Sequence, residues 1–221
     1  MKTILIFGDS ETYGVGGEHG SWADKIKTAF HADMYGQKMT TGAHCDVYEL
    51  GIPGETMTNI LDRFVAETTS RIRGANPQDV MIVFSAGTND SKAVEAADNH
   101  LFTPDDFAAS VHAFIHLAKE YAAHIVGVGL FPVDESKTNP FPSATRSGTY
   151  FSNARLSIFD EAFQRTCENE GVYFVPLFNA VPQDWAQNNL SIDGLHPNDR
   201  GHEWIRAQIE PELRKITGLL A

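Results

Sequence analysis

Short apolar runs alternate with stretches of helical periodicity along this chain. The runs Thr3–Phe7, Asp46–Leu50, Val80–Phe84, Ile125–Phe131 and Val172–Phe178 read as strands. Between them lie helical patterns. Ser21–His31 opens on a Ser21/Asp24 capping pair and places Trp22, Ile26 and Phe30 on one face. Thr56–Arg73 carries Met57, Ile60, Leu61, Phe64 and Ile72 on one side. Asp105–Ala122 follows a Thr103 cap, with Pro104 at the first helical position and Asp106 completing the cap. Asn153–Glu170 runs along Leu156, Phe159, Phe163 and Cys167 and stops at Gly171. Asp199–Ile216 closes the chain, with a bend expected at Pro211. Five strands separated by helices predict an α/β fold with a parallel sheet covered on both faces.

The 221 residues suit one domain, 1–221, because no linker, repeat or low-complexity tract divides them. A 42% hydrophobic and 21% charged composition is that of a globular chain. Seventeen Lys+Arg against 29 Asp+Glu give a net charge of −12, without a basic cluster, so nucleic acid is not an expected partner. The apolar run at Ile4–Phe7 is too short for a signal peptide, and no run approaches a membrane span. Cys45 and Cys167 fit neither a disulfide framework nor a zinc pattern, so a reducing, cytoplasmic setting is expected.

Polar residues concentrate where strands end. Gly8-Asp9-Ser10-Glu11 follows the first strand and Gly51-Ile52-Pro53-Gly54-Glu55-Thr56 the second. Gly87-Thr88-Asn89-Asp90 follows the third, and Asp193-Gly194-Leu195-His196-Pro197 comes after the fifth. In a parallel sheet the carboxyl ends share one edge, so the four segments converge there. Together they supply the parts of an acyl-transfer site. Ser10 needs a base, and an imidazole such as His196 serves near neutral pH. Asp193 can orient that ring. The Ser10 and Gly54 N–H groups and the Asn89 amide can receive an oxyanion.

These four blocks resemble those of the GDSL or SGNH hydrolase family, in the family's order from residue 4 to residue 197. The resemblance implies a three-layer α/β/α sandwich with a five-stranded parallel sheet in flavodoxin-like order, and neither a metal nor an organic cofactor. It also implies Ser10, His196 and Asp193 as the catalytic triad, Ser10, Gly54 and Asn89 as the oxyanion hole, and a small-molecule ester or thioester as substrate. Carbohydrate deacetylation, acyl transfer to an alcohol and, from another class, a non-catalytic binding module are the alternatives.

Two long connections, Asn89–Pro104 and Val133–Ser152, leave the same sheet edge and are candidates for shaping the substrate pocket. Phe131, Phe141, Tyr150 and Phe151 flank or lie in the second; Phe131, Phe141 and Tyr150 are the expected substrate-binding aromatics, and Phe141, Tyr150 and Phe151 can form an apolar wall. Asp9 is expected to order its turn, and Glu11, Glu55 and Asp90 to sit favourably at helix N-termini. His112 and His116 share a helix face but have no third ligand at a sensible spacing, so they read as exposed helix residues.

Overall fold

The computed structural model describes residues 2–35, 45–142 and 148–218. In chain order the elements are β1 (Lys2–Gly8), α1 (Ser10–Tyr13), α2 (Trp22–Tyr35), β2 (Cys45–Gly51), α3 (Met57–Ile72) and β3 (Val80–Ser85). There follow α4 (Thr88–Ser91), β4 (Ala93–Val94), α5 (Pro104–Ala118), β5 (His124–Val128), α6 (Glu135–Thr138) and β6 (Thr149–Tyr150). The chain continues through α7 (Asn153–Asn169), β7 (Tyr173–Val175), α8 (Trp185–Asn188) and α9 (Asp199–Thr217).

Five strands form one sheet in the order β2-β1-β3-β5-β7, and every neighbouring pair is parallel. This is the flavodoxin-like order. Side chains alternate across the sheet as the pleat requires. Leu5, Phe7, Ile82 and Phe84 pack into a core with α3, α5 and α7. Ile4, Ile6, Met81 and Val83 pack into a second core with α2 and α9. Rings dominate the first core: Phe84 lies 4.6 Å from Phe114 and 5.1 Å from Phe163, centroid to centroid. Cys45 and Cys167 are both free and buried, in cores on opposite faces of the sheet.

The caps form as expected. Ser21 Oγ accepts from Asp24 N at 2.9 Å, and Thr103 Oγ1 accepts from Asp106 N at 3.1 Å. Helix α5 ends earlier than its pattern predicts, because Glu120 N and Tyr121 N turn to the carbonyls of Leu117 and Ala118 and tighten the last turn. Helix α9 runs through Pro211 without interruption. Strand β5 also stops early. Leu130 N leaves the ladder for the Asp160 carboxylate, at 2.8 Å.

Register matters most for the site. Gly8 stands level with Gly51 on one side and with Ser85 on the other. The segments after β1, β2 and β3 therefore start from the same height on the sheet edge. The described parts of the two long connections are structured. Beta strands β4 and β6 pair antiparallel, Ala93 with Tyr150 and Val94 with Thr149, and Phe141 bridges to Thr149. Residues 143–147 of the second connection lie outside the described residues. Among the described residues, no helix is long and apolar enough to cross a membrane.

Candidate active site

Asp9 is the cap of α1, and its Oδ1 accepts from Glu11 N at 3.2 Å. Ser10 therefore occupies the first helical position, where a backbone N–H has no partner within the helix. Its hydroxyl lies 3.0 Å from His196 Nε2. His196 Nδ1 lies 2.6 Å from Asp193 Oδ2. Asp193 also folds its own loop. Its Oδ1 accepts from Ser191 Oγ at 2.6 Å, Leu195 N at 2.9 Å and His196 N at 3.0 Å. That tight turn passes through Gly194 at φ 74°, where a Cβ would stand 2.8 Å from Lys137 Cβ. Partial burial pushes the Asp193 carboxyl up. The hydrogen bonds from His196 and Ser191 outweigh it and hold the group well below the usual carboxylate range.

Asn89 sits in α4 with its amide held from two sides. Nδ2 donates to Asp9 Oδ2 at 3.1 Å, and Oδ1 lies 3.5 Å from Lys92 Nζ. A carboxylate acceptor on one side and an ammonium donor on the other fix which way the amide faces. An amide nitrogen carries two hydrogens, so the bond to Asp9 leaves one for another acceptor. Gly54 adopts φ 87°, and a Cβ there would meet nothing within 4 Å, so its backbone edge stands open.

A cavity of about 380 Å3 joins these groups. Ser10, His196, Asn89 and Gly54 all line it. Phe141 belongs to its wall, with its ring centroid 6.4 Å from that of His196 and 5.9 Å from that of Phe151. Phe151, expected with Phe141 in an apolar wall, lines the cavity too, as do Lys92 and Thr149, which the sequence did not single out. Two available signals pointed to these two: Lys92 is one helical turn after Asn89, and Thr149 stands two residues before Phe151 along an extended segment.

Two of the three expected aromatics lie elsewhere. Phe131 is in the core, 5% exposed, with its ring 5.4 Å from Trp185. The early exit of β5 carries it to the α9 face of the sheet instead of the cavity. Tyr150 pairs with Ala93 in β6 and is not a cavity residue. Strand alternation gives the cavity its neighbours Thr149 and Phe151 and turns Tyr150 away.

Beneath the site three acids are buried together. Asp90 accepts from Met57 N at 3.1 Å, so it caps α3 from α4. Burial pushes it up to about 7. Burial likewise pushes Asp9 up to about 6, against hydrogen bonds from Glu11 and Asn89. Glu11 is raised well above its ordinary range by burial and by the Asp9 charge. Glu55 differs from these three: it pairs with Arg63 at 2.7 Å.

A serine, an imidazole and a carboxylate thus stand in one hydrogen-bonded line at the carboxyl edge of a flavodoxin-like sheet. The family model described as GDSL-like Lipase/Acylhydrolase matches residues 6–204. The chain belongs to that family and is a hydrolase acting on ester bonds. No curated protein sequence matches it. Solved structures share its fold. The lipase/acylhydrolase from Enterococcus faecalis has a TM-score of 0.70 at 21% identity, over 97% of this chain and 96% of that one. The psychrotrophic esterase EstA from Pseudoalteromonas sp., solved inhibited by monoethylphosphonate, has a TM-score of 0.66 at 17% identity, over 97% and 98%. Axe2, an acetylxylan esterase from Geobacillus stearothermophilus, has a TM-score of 0.68 at 15% identity, over 97% and 94%.

Proposed function

We propose that the protein is a serine esterase that cleaves small carboxylic esters through an acyl-enzyme on Ser10. One observation carries this reading: the unbroken line from Asp193 through His196 to Ser10, at 2.6 and 3.0 Å, opening into the cavity. His196 Nε2 takes the Ser10 proton as Oγ attacks the ester carbonyl. Asp193 holds the Nδ1–H tautomer and balances the imidazolium that forms. The tetrahedral oxyanion is received by the N–H groups of Ser10 and Gly54 and by the remaining Asn89 amide hydrogen. His196 then gives its proton to the departing alkoxide, which leaves as the alcohol. Water enters, His196 removes its proton, and the resulting hydroxide displaces the acyl group as acid. The proton returns to Ser10.

The cavity suits a modest acyl or alkyl group, because Val15, Pro53, Phe141, Phe151 and Leu195 give it an apolar wall. Acyl transfer to an alcohol would use the same groups with a different acceptor. The cytoplasmic placement rests on the two free cysteines. Turnover of an activated phenyl ester by Ser10→Ala tests the reading. A fall in kcat of about 10⁴-fold or more is expected, with the circular dichroism of the native fold. Wild-type-like turnover in the folded variant would overturn it.

A further inference from the structure

We propose that His112, His116 and Glu170 form a surface site for a divalent transition-metal ion of the Zn2+ type. His112 and His116 lie four residues apart on α5, a spacing that puts two imidazoles on one helix face. Their ring centroids are 4.3 Å apart. The third group comes from a distant part of the chain. Glu170, at the end of α7, points its carboxylate at both rings. Oε1 lies 2.9 Å from His112 Nδ1, and Oε2 lies 3.3 Å from His116 Nε2. One ligand atom from each residue falls within 4.8 Å of the others. Four ligands at about 2.0–2.1 Å around zinc stand roughly 3.3 Å from one another, so small ring rotations suffice to seat the ion. Two imidazoles and one carboxylate match Zn2+, Co2+, Ni2+ or Cu2+ rather than the all-oxygen shells of Mg2+ and Ca2+.

The surroundings are consistent with a three-residue site. Both rings are more than half exposed, so the remaining coordination position faces water, whereas the Glu170 side chain is only 16% exposed and held in place. Lys119 Nζ fixes it, 2.7 Å from Oε2 and 3.1 Å from the Glu170 carbonyl. That ammonium occupies Oε2, leaves Oε1 to the ion, and keeps the affinity moderate through like-charge repulsion. The site is remote from the Ser10 cavity. Helix α5 starts near the carboxyl edge of the sheet and runs back, and Glu170 precedes β7, so the three ligands sit toward the amino edge. A bound ion would tie α5 to α7 and leave ester hydrolysis unchanged.

The test is a titration of the tag-free full chain with Zn2+ by calorimetry, and with Co2+ followed by its visible absorption. One ion per chain is expected, with a rise in Tm on loading. His112→Ala, His116→Ala and Glu170→Gln should each weaken binding at least about tenfold and abolish the Tm rise. His19→Ala should bind like the wild type; it removes a ligand from the other His-containing cluster, Glu18, His19 and Asp199. If Glu170→Gln fails to fold, the two exposed histidine variants decide alone. Wild-type affinity in both of them would overturn the proposal. So would loss of binding in His19→Ala alone, or no binding at all up to about 1 mM Zn2+.

Discussion

Asn89 is held more tightly than a surface amide needs, by Asp9 on its nitrogen and Lys92 on its oxygen. A donor fixed before the reaction stabilises charge as it develops, at no reorganisation cost. Asn89→Ala should therefore lower kcat roughly 10²–10³-fold with KM little changed, in steady-state kinetics on a soluble ester. A large rise in KM at constant kcat would make Asn89 a substrate-binding group instead. Asp193→Asn should cost up to about 10⁴-fold in kcat while the fold persists. An unchanged rate would reduce the relay to Ser10 and His196. The blocks that carry these residues were visible in the sequence: Ser10 follows β1 directly, and Asp193 and His196 lie together in the segment between α8 and α9. Their supports were not. Asp90 caps a helix from 33 residues away, and Lys92 reaches Asn89 only once α4 has formed.

At the scale of elements, the two long connections act as one unit. Their short strands β4 and β6 pair with each other, and the bridge from Phe141 to Thr149 brings Phe141 to the cavity. The sequence located these connections correctly at the carboxyl edge but could not say which aromatics face inward. Alternation over a two-residue strand is too short a pattern to read, and the end of β5 depends on Asp160 drawing Leu130 N out of the ladder. The distinction is measurable. Phe141→Ala should change relative kcat/KM across acyl chain lengths by about tenfold, since a methylene in an apolar pocket discriminates by ~1–3 kcal/mol. Tyr150→Ala should leave that profile unchanged. The reverse outcome would place the specificity wall on the other face of β6.

For the whole molecule, the order of strands and helices was readable because the two cores bury both faces of β1 and β3, which therefore read as continuous apolar runs, while α3, α5 and α7 carry helical spacing. Burial of the acids beneath the active site was not readable, since a carboxyl near a helix start is usually solvated. It leaves a signature in stability. Asp90 ordinarily titrates near 3.8 and here near 7, so the folded chain keeps a proton that the unfolded chain has released. Its contribution is therefore lost as pH rises between those values. Asp193 has the opposite sign: its contribution is present above the ordinary carboxylate range and is lost as pH falls. Asp90→Asn can still accept from Met57 N. It should raise stability at pH 8 by roughly 1–4 kcal/mol over the wild type and flatten the loss between about pH 4 and 7, in urea titrations. An unchanged pH slope would mean that Asp90 ionises freely in the fold. The central claim is that Ser10 attacks the ester. Mass mapping of peptides after inactivation by a small fluorophosphonate tests it most directly. One phosphonyl group per chain on Ser10, rising in step with loss of esterase activity, is the predicted result. Full inactivation with Ser10 unlabelled, or full labelling of Ser10 with activity retained, would contradict it.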